Sequence, residues 1–256
     1  MTTYDAKPWL KFYAKGLPPE LEIPAKSYAD LLEEAMNANP DGPALYFMGK
    51  AISCRQLMDL SSRFGAFLLT NGCRPGDVVG INLPNLPQYI IALTGALRIG
   101  CAVTGISPLL TPKEMAYQIN DSGAKCLVTL DAIFENRVQK IRDQVPDLQC
   151  IVATSIGDWL PGIKRFLGKL LKKIPTGTIA PLPGKQVVSL QQVLAASPPH
   201  LEAVTIAPAD TCLLQYTGGT TGLPKGTILT HRNIVTNIHQ ITNWVAFDRS
   251  REVMCS

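Results

Sequence analysis

Apolar and polar positions follow two different periods along the chain, and from residue 77 onward segments with one period alternate with segments with the other. Short, nearly continuous apolar runs are typical of buried strands, and stretches in which apolar residues recur every three or four positions are typical of helices. The predicted strands span 78–83, 101–105, 126–130 and 150–154, and the predicted helices span 87–99, 111–123 and 132–143. This order predicts an α/β fold, with a mostly parallel sheet covered by helices on both faces.

Two helices and a small hairpin are predicted ahead of this core. Ser27 and Ser53 each precede an apolar helical pattern, and Asp30 and Gln56 follow three positions later, which is the arrangement of a capping box. Gly49 lies between two short apolar runs and predicts the turn of a hairpin. The predicted elements are a helix that ends near 39, a hairpin over 44–52 and a helix that ends near 72.

Residues 155–205 interrupt the alternation of strands and helices. Six prolines leave room for two short helices, over 163–173 and 190–195, within a connecting excursion. The first of these helices is amphipathic and cationic. Its apolar face carries Ile163, Phe166, Leu167, Leu170, Leu171 and Ile174, and its basic face carries Lys164, Arg165, Lys169, Lys172 and Lys173. Two interpretations stay open: a surface helix docked on its own sheet, or a helix over 163–174 that lies on an anionic membrane.

The composition is that of a protein with a sizeable core, since 46% of the 256 residues are hydrophobic and 17% are charged. The net charge of +4 comes from basic residues concentrated between 159 and 201, so no nucleic-acid-binding surface is expected. The seven cysteines include no C-x-x-C pair and predict reduced, buried thiols rather than a metal site. No secretory signal is apparent, and the apolar window 89–110 predicts a buried helix and strand, so a cytoplasmic protein is expected.

Most of the candidate ligand-binding residues lie in one loop of glycines, threonines and one lysine, YTGGTTGLPKG over 216–226. The loop lies between a predicted strand over 211–216 and a helix that begins at Thr230. Glycine amides, threonine hydroxyls and a lysine charge together suit a phosphate group. The loop is not a Walker P-loop, because Lys225 follows Pro224 and no serine or threonine follows the lysine. It also lacks the spacing of a dinucleotide fingerprint. A plain surface turn has no use for this set of donors.

The run LLQYTGGTTGLPKGTILTHRN resembles the phosphate-loop signature of the adenylate-forming superfamily, which contains acyl-CoA synthetases, luciferases and peptide-synthetase adenylation domains. The similarity is greatest to long- and medium-chain fatty acyl-CoA synthetases, in which glycine is familiar at position 218 where much of the superfamily has serine. The segments KPWLKFY, GDVVGINLPNLPQY and SPLLTPKEMAYQINDSGAK support the resemblance.

The resemblance implies an ATP-dependent fatty acid–CoA ligase. A fatty acid and MgATP would form acyl-AMP and pyrophosphate, and coenzyme A would then displace AMP to give the thioester. On this view the loop holds the β- and γ-phosphates, and the expected binding residues are Thr217, Gly218, Gly219, Thr220, Thr221, Gly222 and Lys225. His231 either reaches toward the loop or satisfies local backbone groups.

The resemblance also implies that the chain is the N-terminal portion of such an enzyme, because the family's adenine, ribose and acyl-pocket motifs and its mobile C-terminal domain lie further along. We therefore expect no catalytic residue and no protein metal ligand within the chain, and no activity from it alone. Three hypotheses stay open: part of a ligase, an inactive nucleotide- or phosphate-binding fragment, and a module at the inner face of a membrane. The expected division of this incomplete domain is 1–76, 77–154, 155–205 and 206–256.

Overall fold

The computed structural model describes residues 4–161, 175–202, 204–218 and 222–245. Helix α1, hairpin β1–β2 and helix α2, which the sequence predicted, follow a short 3-10 helix, Pro8–Phe12, which it did not. Ser27 and Ser53 form capping boxes with Asp30 and Gln56, and Gly49 occupies the turn with a φ of +91°. The bounds are Tyr28–Ala38 for α1, Pro43–Phe47 for β1, Lys50–Ser53 for β2 and Cys54–Thr70 for α2.

A seven-stranded sheet forms the centre of the described structure, with the strand order β7-β6-β5-β3-β4-β8-β9. Every neighbouring pair is parallel except β8 and β9, which are antiparallel. The strands are β3 Val78–Asn82, β4 Ala102–Gly105, β5 Ala124–Leu130, β6 Cys150–Thr154, β7 Gln186–Ser189, β8 Thr211–Thr217 and β9 Lys225–Thr230. The predicted α/β fold with a mostly parallel sheet is confirmed.

Helices cover both faces of this sheet. Three consecutive helical pieces, Asp131–Ile133, Phe134–Val138 and Gln139–Ile141, are together called α5. The other helices are α3 Pro87–Arg98, α4 Pro112–Ser122, α6 Leu190–Ala196 and α7 His231–Trp244. Phe64 of α2 and Ile91 of α3 pack in one apolar cluster, and Met115 of α4 and Phe134 of α5 pack in a second. Adjacent residues of β5 enter opposite clusters, since Leu127 belongs to the second and Val128 to the first. This alternation buries both faces of the sheet.

Two strands of the sheet, β7 and β9, were not predicted from the sequence. β7 lies within the excursion over 155–205 and extends the parallel sheet beside β6, although the prolines around it indicated irregular structure. β9 lies between the glycine-rich loop and α7, where the sequence analysis placed no strand. Both are short or exposed edge strands with weak apolar patterns, so their own residues carry little signal.

The excursion also contains the predicted cationic helix, and 163–174 lies outside the described residues. The six cysteines within the described ranges are free thiols, and five of them are buried. No helix in the described part of the chain combines the length and the apolar character needed to cross a bilayer.

Candidate phosphate-binding loop

The glycine-rich loop connects the two antiparallel strands at the edge of the sheet. β8 ends at Thr217 and β9 begins at Lys225, so the loop closes a hairpin. This corrects the prediction that the loop leads directly into a helix. Helix α7 instead follows β9, with Thr230 as its N-cap as predicted. Gly219, Thr220 and Thr221 lie outside the described residues.

The hairpin brings two of the predicted binding residues together. Thr217 and Lys225 are directly opposed in the register of β8 and β9, and both are exposed. Opposed residues of an antiparallel pair have Cβ atoms about 5 Å apart on the same face. The hydroxyl of Thr217 and the ammonium group of Lys225 can therefore act on one anion at the mouth of the loop.

The described glycines of the loop leave room for such an anion. A Cβ atom added at Gly218 or at Gly222 would have no atom of the described residues within 4 Å. Backbone amides without a neighbouring Cβ can approach a phosphate closely. The residues that the structure describes at this loop thus fit a phosphate group in both space and donor chemistry.

Helix α4 contacts the loop at both of its ends. The hydroxyl of Tyr117 donates a hydrogen bond of 2.9 Å to the carbonyl oxygen of Pro224, one residue before β9. The hydroxyl of Tyr216 donates a hydrogen bond of 2.6 Å to Oδ2 of Asp121, one helical turn further along α4. Partial burial and this carboxylate raise the pKa of the Tyr216 phenol, so it stays a protonated donor at neutral pH.

The ring of Tyr216 also lies against the backbone of β9. A Cβ atom at Gly226 would stand 3.0 to 3.2 Å from three atoms of the Tyr216 phenol. Gly226 is the cross-strand partner of Tyr216, and this close approach requires a residue without a side chain. Side chains alternate between the faces of a strand, so Tyr216 points away from the face that carries Thr217 and Lys225.

Helix α4 is itself bound to the centre of the sheet. Nε2 of Gln118 donates to Oγ1 of Thr104 at 3.1 Å and to the carbonyl oxygen of Gly105 at 3.0 Å. The hydroxyl of Thr104 in turn donates to the carbonyl oxygen of Leu214 in β8, at 3.0 Å. A continuous set of hydrogen bonds therefore links α4, β4 and β8.

His231 does not act at the loop. Its side chain is fully buried, and Nδ1 accepts a hydrogen bond of 3.1 Å from the backbone N–H of Tyr28, the first residue of α1. Burial lowers the pKa of His231, and the carboxylates of Asp210 and Asp30 oppose that shift. The histidine thus joins α7 to the N-terminal helix through a backbone group that is distant in sequence.

Sequence reasoning missed Tyr117, Gln118 and Asp121. Their spacing puts them on neighbouring positions of one helix, but no local pattern relates them to a loop a hundred residues later. The signal was indirect, because β4, which precedes α4, is the sheet neighbour of β8. No group of three or more His, Cys, Asp or Glu side chains within the described ranges could hold a metal ion.

Comparison with known proteins places these features in context. A family model described as "AMP-binding enzyme" matches residues 32–256. A long-chain-fatty-acid–CoA ligase of Bacillus subtilis (strain 168) is 33% identical over an alignment of 249 residues, and the match covers 93% of this chain and 42% of that protein. A ligase of the same name from an Escherichia coli O6:H1 strain is 35% identical over an alignment of 243 residues, and the match covers 92% of this chain and 42% of that protein.

Solved structures share the fold at lower identity. The crystal structure of a long-chain-fatty-acid–CoA ligase from Archaeoglobus fulgidus matches with a TM-score of 0.68 and 21% identity. The match covers 90% of this chain and 41% of that one. The chain therefore spans about two fifths of the length of each of these three proteins.

Proposed function

The chain belongs to the family of AMP-binding enzymes, and from this premise we propose that it supplies the ATP phosphate-binding loop of a long-chain fatty acid–CoA ligase. The observation that carries the proposal is the mouth of the β8–β9 hairpin. There Thr217 and Lys225 are opposed beside glycine backbone that leaves room for a phosphate group. The curated relatives from B. subtilis and E. coli support the same substrate class, because both are named long-chain-fatty-acid–CoA ligases.

The proposed reaction has two steps. An oxygen of the fatty carboxylate attacks the α-phosphorus of ATP, the bond from that phosphorus to the bridging oxygen breaks, and pyrophosphate leaves with the electron pair. The thiol of coenzyme A then attacks the acyl carbonyl and loses its proton, and AMP departs. In the first step Thr217, the loop amides and Lys225 hold the β- and γ-phosphates and stabilise the charge that develops on the leaving group.

Magnesium is expected to reach this site with the nucleotide. Mg²⁺ commonly binds through substrate phosphates and one or two protein oxygens, and it would supply further charge neutralisation. The hydroxyl of Thr217 fits such a role, as do the hydroxyls of Thr220 and Thr221 on sequence grounds. The roles given above to the amides and to Lys225 stand independently of the ion.

The alternative of an inactive phosphate-binding protein makes a different prediction from the ligase. Both would bind ATP, but only a ligase releases pyrophosphate when a fatty acid is added. Because the chain spans 42% of its curated relatives, the assay should use the longest natural protein that contains this chain. The measurement is pyrophosphate release with ATP and a series of fatty acids of different lengths.

Replacing the loop lysine should impair this first step strongly. Lys225→Ala removes a charge that stabilises the leaving pyrophosphate, and loss of one such contact typically lowers the rate about 100-fold. Thr221→Ala is expected to act at the same step on sequence grounds. Lys140→Ala, which removes an exposed lysine from α5, is the matched control and should keep the wild-type rate. Unchanged pyrophosphate release in Lys225→Ala would contradict the proposed role of the loop.

Delivery of the fatty acid from a membrane is a separate, finer proposal that rests on the sequence of 163–174 alone. Each basic residue close to an anionic bilayer contributes about 1 kcal/mol of binding. The triple change of Lys169, Lys172 and Lys173 to glutamate should therefore reduce sedimentation with anionic vesicles and leave binding to neutral vesicles unchanged. Equal sedimentation of the two proteins at low salt would contradict the membrane role and favour the interpretation of a surface helix docked on its own sheet.

A further inference from the structure

The structure assigns a positioning role to Tyr117 and Asp121 of α4: we infer that they hold the two ends of the phosphate loop in the geometry that adenylation needs. This inference rests on the proposed function of the loop. Neither residue belongs to the glycine-rich motif, and each acts through a different end of it. Tyr117 binds the carbonyl of Pro224, and Asp121 binds the hydroxyl of Tyr216.

The two contacts span the loop. Tyr216 lies two residues before Gly218, and Pro224 lies immediately before Lys225. The seven residues between Thr217 and Lys225 therefore begin next to a residue whose side chain is bonded to α4 and end at a residue whose backbone carbonyl is bonded to the same helix. Fixing both ends of a short loop reduces the number of conformations available to it.

Helix α4 is a suitable reference point because both of its ends are capped. Thr111 and Glu114 form a capping box at its start, and Gly123 ends it in the left-handed region with a φ of +65°. Gln118, between the two loop-binding residues in sequence, is buried and bonded to β4. The positions of the Tyr117 hydroxyl and the Asp121 carboxylate are thus set by the sheet.

The same geometry leaves the ligand face free. Tyr216 and α4 lie on one face of the hairpin, and the alternation of side chains puts Thr217 and Lys225 on the other. Tyr117 and Asp121 therefore position the donors without touching the phosphate. Since Asp121 is exposed and its hydrogen bond lies near solvent, losing that bond should change stability little while it changes where the loop lies.

The test compares variants that remove each contact with variants that preserve it. Tyr117→Phe keeps the ring and removes the hydroxyl, and Asp121→Ala removes the acceptor for Tyr216. Asp121→Asn keeps an acceptor oxygen and is the rescue variant. Tyr46→Phe, at an exposed tyrosine of β1, is the control for loss of a hydroxyl. The measurements are the kcat and KM of pyrophosphate release with varied ATP, the melting temperature, and hydrogen exchange of the amides over 216–226.

We expect kcat/KM for ATP to fall about tenfold in Tyr117→Phe and in Asp121→Ala, since small displacements of a binding group reduce rates steeply. Asp121→Asn and Tyr46→Phe should stay within about twofold of wild type, and the melting temperatures should agree within about 2 °C. Loop amides should exchange about ten times faster in the two disruptive variants. The double variant Asp121→Ala with Tyr216→Phe should be no worse than the more impaired single variant, because both remove one contact.

Two results would overturn the inference. One is wild-type kcat, KM and loop exchange in Tyr117→Phe and Asp121→Ala. The other is a loss of activity matched by an equal loss in Asp121→Asn and by a fall in melting temperature, which would indicate a purely structural role. A protein that releases no pyrophosphate with any fatty acid would instead contradict the proposed function, and loop exchange would then still decide whether α4 positions the loop.

Discussion

The strands at the centre of the sheet and the hairpin at its edge are built from different kinds of residue. In β5 and β6, all but one of the side chains are buried, and most are apolar. In β9 no residue is fully buried, and in β8 Cys212 alone is. The central strands are covered on both faces, whereas the hairpin exposes threonines, glycines and a lysine.

This difference separates the residues that stabilise the fold from those that can bind a ligand. Each buried Leu, Ile or Val side chain contributes about 1.5 to 3 kcal/mol by leaving water, so substitutions in the central strands act mainly on stability. The hairpin has few such contributions. Its conformation depends on two hydrogen bonds between the hairpin and α4 and on one close contact at Gly226, so substitutions there should act mainly on the position of the loop.

The largest expected effect is a difference in the free energy of unfolding between a substitution in a central strand and one in an edge strand. Leu127→Ala in β5 leaves a cavity at a fully buried site and should lower the free energy of unfolding by about 2 to 5 kcal/mol. Ile228→Ala in β9 removes a similar apolar volume at a side chain that is 63% exposed and should cost about 0.5 kcal/mol or less. Urea denaturation of both variants measures the two costs. Comparable costs would remove the distinction between the two regions.

A smaller effect is expected within the hairpin itself, between two glycines that exposure alone does not distinguish. Gly226→Ala puts a methyl group 3.0 to 3.2 Å from the Tyr216 phenol and should destabilise the protein by about 1 kcal/mol. The Cβ atom of Gly218→Ala has no described atom within 4 Å, and the change should be neutral or slightly stabilising, because it restricts the unfolded chain. The same denaturation experiment compares them. Equal effects would show that the Tyr216 ring moves aside freely.

The two regions also differ in how far the sequence predicts them. Local signals determined the helices and central strands: Ser27 and Ser53 each form the capping box that the sequence predicted, and the helix predicted over 111–123 is α4, with Thr111 and Gly123 as its caps. Thr217 and Lys225 were identified from their chemistry, and the structure brings them together.

The features that the sequence did not predict depend on contacts between distant parts of the chain. β7 and β9 are strands because they pair with β6 and β8, and their own sequences are too short or too polar to show it. Tyr117 and Asp121 meet the loop only because β4 and β8 are neighbours in the sheet. No local pattern encodes such an arrangement.

A pH-dependent effect is expected at the contact that joins the edge region to the N-terminal helix. His231 is buried, and its Nδ1 accepts the N–H of Tyr28, so the neutral imidazole is the form that the fold requires. Its pKa in the folded protein is therefore lowered below the unfolded value of about 6.5. Below that pH the unfolded chain binds a proton that the folded protein resists, and stability falls with decreasing pH.

The measurement is the urea midpoint of wild type and His231→Asn at pH 7.5 and at pH 5.5. Asparagine offers an acceptor oxygen near the position of Nδ1 but does not titrate in this range. Wild type should lose up to about 1.4 kcal/mol more than the variant on going to pH 5.5, since each unit of pKa difference corresponds to that energy. Other groups titrate equally in both proteins and cancel in the comparison. Parallel losses would mean that protonated His231 is accommodated in the fold, and that the contact between α7 and α1 does not depend on the neutral ring.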